Sequence, residues 1–137
     1  MKFTLSWLQQ FIATQDYTPA QIADRLTMLG LQVDSVEELF LALEHIITAR
    51  VISVEKHPNA DSLSLCQVDT GLEVIQVVCG APNVHAGMIS ALAKPGVQLP
   101  DGNTIKKAKV RGLDSFGMLC SARELGLSID HTGIMEL

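Results

Sequence analysis

The chain has 137 residues, 47% hydrophobic and 18% charged, with a formal net charge of −5. That length holds one compact domain plus a small appendage, and an acidic total does not by itself point to nucleic acid. Three cysteines with no CxxC pair exclude a disulfide framework and fit a reducing compartment, while no signal-peptide pattern and no run of ~18 apolar residues is present.

In chain order, Phe3–Ile12 reads as a short amphipathic helix carrying Leu5, Trp7, Leu8, Phe11 and Ile12. A second helix is signalled by Thr18 as N-cap, Pro19 at the first helical position and Gln21 completing a capping box. Ile22, Leu26 and Leu29 follow at helical spacing, and Gly30 stops the helix. Leu31–Val36 reads as a short strand. An acidic, then apolar stretch over 37–45 carries the predicted boundary between a helical segment, 1–39, and a second domain, 40–137.

From Ile46 the texture changes to short strands between turns. Ile46–Glu55, Leu63–Asp69, Glu73–Cys79, Met88–Ala93, Thr104–Arg111 and Phe116–Cys120 are the predicted strands. Turns fall at His57-Pro58-Asn59-Ala60-Asp61, Thr70-Gly71, Lys94-Pro95-Gly96 and Asp101-Gly102. Ser121 and Glu124 form a second capping box, opening a short helix that stops at Gly126. This pattern predicts a mainly β sandwich or barrel. The last residues, Gly133-Ile134-Met135-Glu136-Leu137, read as the middle of a further strand, so a longer parent chain is expected.

Positive charge is concentrated in one place. The run from Thr104 to Gly112 carries Lys106, Lys107, Lys109 and Arg111 and no acid. As a strand it puts Lys107, Lys109 and Arg111 on one face and Ala108 and Val110 on the other. Such a row suits a series of phosphates, and equally suits a solvated edge strand that uses lysine against aggregation. Aromatic residues are 4% of the chain, and only Phe116 lies near this strand. Backbone and shape recognition is therefore expected over base readout by stacking.

Catalytic patterns are missing. There is no GxxxxGK[ST], GxGxxG or GxSxG, and His45, His57, His85 and His131 make no HxxxH pair. Cys79 and His85 lack the further ligands or oriented base that a metal or thiol site needs. Cys66 and Cys79 read as small core residues.

Several stretches together resemble one family. They are His57-Pro58-Asn59-Ala60-Asp61-Ser62-Leu63, Cys66-Gln67-Val68-Asp69-Thr70-Gly71, Val77-Val78-Cys79-Gly80-Ala81-Pro82-Asn83, Ile105 to Gly112, Ser115-Phe116-Gly117-Met118-Leu119-Cys120-Ser121 and Glu124-Leu125-Gly126. They are similar to the tRNA-binding domain of bacterial phenylalanyl-tRNA synthetase beta subunits. Leu5-Ser6-Trp7-Leu8 and Leu26-Thr27-Met28-Leu29-Gly30-Leu31 look like the start of the same subunit. The resemblance implies a five-stranded OB-fold barrel from about residue 40. The helical segment before it would belong to an α+β domain completed elsewhere in the full chain, leaving Leu5, Trp7, Leu8, Ile22, Leu26 and Leu29 short of partners. It implies a cytoplasmic heterotetramer of two alpha and two beta subunits that joins phenylalanine to tRNA with ATP and magnesium. The aminoacylation and editing sites would lie outside these residues, so no catalytic residue, metal or cofactor is expected here. By the same match Lys106, Lys107, Lys109, Arg111, Ser115 and Met118 are tRNA-contact candidates, with Asn59 and Asn83 as nearby loop polar residues. Two other readings stay open: a structural packing module with incidental RNA contact, and a freestanding tRNA-binding protein.

Overall fold

The computed structural model describes every residue from Met1 to Leu137. Contacts divide the chain into two units, Met1–Leu39 and Phe40–Leu137.

In the first unit, α1 is the single turn Leu5–Leu8, capped by the Thr4 side chain accepting from Trp7 N at 3.2 Å. The sequence predicts a helix to Ile12. Beyond Leu8 the chain tightens instead, with Gln10 N donating to Trp7 O and Phe11 N to Leu8 O. A helix this short has little intrinsic stability and depends on burying an apolar face. No hydrophobic residue of this unit is buried, and Trp7 is 49% exposed.

Helix α2, Pro19–Met28, follows the sequence closely. Gln21 N donates to Thr18 Oγ1 at 3.3 Å, and Thr18 N donates to Gln21 Oε1 at 2.9 Å. Gly30 ends it in the left-handed region, where Leu31 N donates to Leu26 O and Gly30 N to Thr27 O, a Schellman pair. The expected strand over Leu31–Val36 does not form. A strand needs a partner ladder, and no strand exists in this unit to provide one.

The second unit is a curled antiparallel sheet. Strand β1, Ile46–Lys56, is its centre. The first half of β1 pairs with β4, Ile89–Ala93, and the second half with β2, Ser64–Asp69. A register shift between Val51 and Ser53 leaves Ile52 as an extra residue, which bends the strand and lets it serve two neighbours. Strand β3, Val74–Cys79, pairs with β2 after a turn in which Gly71 takes φ 82° and its N–H donates to Asp69 Oδ1.

Two further short strands form a hairpin, β5, Ala108–Val110, with β6, Leu113–Ser115. Strand β7, Met118–Leu119, then pairs with β4, giving the sheet order β3-β2-β1-β4-β7. The far edges are drawn together where Phe116 N donates to Gln76 O at 2.9 Å and Val78 N to Ser115 Oγ at 3.0 Å. This five-stranded, partly open barrel is an OB-like fold.

Inward side chains of β1, β2 and β3 meet in one cluster: Ala49, Val51, Cys66, Val68, Val77 and Cys79, joined by Met88 and Leu92. Strand β4 is buried on both faces, because Ala91 and Ala93 pack on its other side with Val97, Leu99, Cys120 and Leu125. Ser121 and Glu124 do form their reciprocal box, Ser121 N donating to Glu124 Oε2 at 2.7 Å and Glu124 N to Ser121 Oγ at 3.3 Å. The segment makes one turn rather than the expected helix, since Leu127 N reaches back to Ala122 O and Gly126 turns left-handed.

Candidate nucleic-acid interface

The basic run does not form one strand. Ile105 N donates to Val97 O and Gly96 N to Ile105 O, so Thr104–Ile105 is held against the turn after β4. Ile105 packs into the second core cluster, while Ala108–Val110 leaves for a different partner, β6. The two ends of the run therefore answer to different neighbours, and Lys106 and Lys107 lie between them.

Arg111 also leaves the predicted face. Val110 pairs directly with Leu113, so Arg111 and Gly112 are the two-residue turn. Both have positive φ, 49° and 100°, as a type I′ hairpin requires, and glycine supplies the second at little cost. Arg111 is thus at the tip of the hairpin rather than in line with Lys107 and Lys109. The tip is the more exposed place for a guanidinium, and Arg111 forms no ion pair.

Folding the hairpin also brings an acid onto the basic face. Asp114 stands opposite Lys109 in the register, and Lys107 Nζ lies 3.6 Å from Asp114 Oδ2. The same ammonium sits 4.5 Å from the centre of the Phe116 ring, a cation–π contact. Asp114 escapes notice in the sequence because it lies just past the basic run; the i, i+5 spacing that pairs it with Lys109 exists only once a two-residue turn is known. Lys106, Lys109 and Arg111 remain exposed and unpaired, whereas Lys56 and Lys94 are spent on Asp61 and Glu73.

The other candidates are engaged in holding the fold. Ser115 is buried; its hydroxyl donates to Gly117 O at 3.0 Å and accepts from Val78 N. Met118 is half-buried against the second core cluster. Asn83 donates to Ile134 O at 2.8 Å and accepts from Ile134 N at 3.0 Å, so its amide pins the last segment of the chain. Asn59 Nδ2 donates to Arg111 O at 3.3 Å. The structure therefore brings together Lys106, Lys107, Lys109, Arg111 and Asn59 around one hairpin, and gives Ser115, Met118 and Asn83 architectural roles.

The connections that meet there are the one between β1 and β2, residues 57–63, and the one between β4 and β7, residues 94–117. In OB barrels the outer face of the second and third strands, flanked by these two connections, is where oligonucleotides bind. The central row of that face is Ser53, Gln67 and Gln76 in register, with Arg50 opposite Asp69 on the same face.

No nucleophile or metal centre emerges. The three thiols are free and buried. Burial raises Cys66 and Cys120 to about 12, with a further push from Cys79 and Glu124 respectively, and burial also raises Cys79. No three His, Cys, Asp or Glu side chains converge as a zinc-type site would require. The thiols make a testable pH dependence. A folded-state proton held more tightly than the ordinary value of 9.0 favours folding fully below pH 9.0, and that advantage is lost as pH rises toward about 12. Denaturant midpoints should fall steadily above pH 9.0, and replacing Cys66 and Cys120 with Ala should flatten that decline.

Residues 46–137 match the family model described as "Putative tRNA binding domain". Over its whole length the chain is 59% identical to the phenylalanine–tRNA ligase beta subunit of Desulfotalea psychrophila, covering 17% of that protein. It is 50% identical to that of Syntrophus aciditrophicus, again across 17% of its length, and 48% identical to that of Chlorobium chlorochromatii across 18%. The chain thus spans about a sixth of the length of these curated relatives.

Proposed function

Because the chain belongs to the tRNA-binding domain family, we propose that its barrel is a noncatalytic tRNA-contact module of a phenylalanine–tRNA ligase beta subunit, acting through the β5–β6 hairpin. The observation that carries this reading is the position of Lys106, Lys109 and Arg111. They are exposed, unpaired and grouped on the connection that OB barrels use for oligonucleotides. Phosphates are the groups these cations suit, because the hairpin offers charge and a projecting guanidinium but only one half-buried aromatic ring.

In this reading the ligase's ATP- and magnesium-dependent joining of phenylalanine to tRNA takes place outside these residues, in a cytoplasmic assembly with alpha subunits and the remainder of beta. The exposed apolar residues of the first unit, including Trp7, Met28 and Leu29, support a packing role for it against other parts of that assembly. No helix is long and apolar enough to cross a membrane.

The test is binding of unfractionated bacterial tRNA by the full chain over a range of salt. About three phosphate contacts predict that log K falls with log salt at a slope near ~−2. A slope of zero, or no binding at low salt, would favour the second reading, a packing module without RNA contact, for which the exposed apolar residues of the first unit are the specific support.

A further inference from the structure

The hairpin turn is held from outside by two hydrogen bonds to consecutive carbonyls. His57 is 2% exposed, and its Nδ1 accepts from Asn59 N at 3.1 Å. The ring therefore carries its proton on Nε2, which donates to Val110 O at 3.2 Å. The Asn59 amide, ordered by the same loop, donates from Nδ2 to Arg111 O at 3.3 Å. It also lies over the turn glycine: a Cβ on Gly112 would be 3.7 Å from Asn59 Nδ2.

These bonds fall where the hairpin most needs them. Strand β5 has only three residues, and a two-stranded ribbon that short does not hold its shape alone. Arg111 is a non-glycine residue at φ 49°, a conformation that needs support from its surroundings. Its side chain makes no ion pair that could fix it. The only side chains that hydrogen-bond to the Val110 and Arg111 backbone are His57 and Asn59.

We propose that His57 and Asn59 are positioning residues: their paired hydrogen bonds latch the β1–β2 connection onto the hairpin and hold Arg111 presented for an RNA phosphate. This rests on the hairpin being the RNA contact. The latch acts by preorganisation. A guanidinium whose backbone is already fixed loses less freedom when it binds a phosphate than one on a fraying turn. The His-Pro-Asn-Ala-Asp loop is then part of the recognition surface without touching the ligand.

The test is a double-mutant cycle in the full chain, with unfractionated bacterial tRNA as the probe. Asn59 is exposed, so Asn59→Ala is expected to leave the melting temperature unchanged. It should weaken binding roughly three- to tenfold, the span of one hydrogen bond's net effect, and speed hydrogen exchange at Arg111 to Leu113. Arg111→Ala should weaken binding by at least as much. In the Arg111→Ala background, Asn59→Ala should then cost nothing more, because Asn59 acts only through Arg111. A full additional loss in that background overturns the latch, as it would mean a contact or a defect independent of Arg111. Unchanged affinity and exchange in Asn59→Ala, with Arg111→Ala still impaired, overturns the latch and leaves the hairpin reading intact. Unchanged affinity in Arg111→Ala overturns both.

Discussion

Reversing Lys106, Lys109 and Arg111 to Glu together is expected to weaken tRNA binding by well over tenfold at low salt and to remove most of its salt dependence. Each phosphate contact on flexible RNA contributes about 0.7 to the slope of log K against log salt, so three lost contacts flatten it by roughly 2. The reversed charges add repulsion to the lost attraction. Lys107 is the informative control. Its ammonium is already shared between Asp114 at 3.6 Å and the Phe116 ring. An exposed ion pair of this kind is worth only about 0–1 kcal/mol, so Lys107→Glu should cost less affinity than Arg111→Glu. Equal losses at all four positions would mean that the overall field, rather than the hairpin, governs binding. Because all of these side chains are exposed, thermal stability should stay close to that of the unaltered chain.

Ser115→Ala is expected to act on the barrel rather than on RNA. The buried hydroxyl stands in for a missing rung of sheet: it accepts from Val78 N on β3 and donates to Gly117 O. Removing it orphans a backbone N–H at the seam, which costs about 1–3 kcal/mol. In a unit of this size that lowers the melting temperature by roughly 5–15 °C. Ser115→Thr keeps the hydroxyl and should retain most of the stability if the extra methyl is accommodated. Gly117 guards the same corner, since a Cβ there would sit 2.9 Å from Ala93 O and 3.1 Å from Leu92 Cδ1. Gly117→Ala should therefore lower the midpoint as well. Calorimetry and tRNA binding at a temperature where the variants remain folded separate the roles. An affinity loss for Ser115→Ala with an unchanged melting temperature would place the hydroxyl on the RNA after all.

Much of the fold was legible in the sequence because its signals are local. Thr18, Pro19, Gln21 and Gly30 specify both ends of α2 within thirteen residues, and alternation located the strands around Cys66 and Val77, whose side chains fill the core. The same local reading misplaced the basic run, because alternation presumes a single partner for the whole stretch. Thr104–Ile105 and Ala108–Val110 have different ones. Leu31–Val36 failed for a related reason: its pattern suits a strand, but its unit contains nothing to pair with.

The sequence by itself determined the barrel's elements, its core thiols and the concentration of cations on one segment. Only the tertiary structure decided which polar residues are free to meet a ligand. Asn59 and His57 reach carbonyls 52 and 53 residues away, Asn83 reaches Ile134 across 51, and Ser115 reaches Val78 across 37. A side-chain hydrogen bond is made within about 3 Å in space, whatever the separation in sequence. A loop asparagine that will bind RNA and one that will pin a backbone carbonyl are therefore indistinguishable until the chain is folded. The hairpin turn that sets Arg111 apart, and the acid that shares its face, belong to that second kind of information.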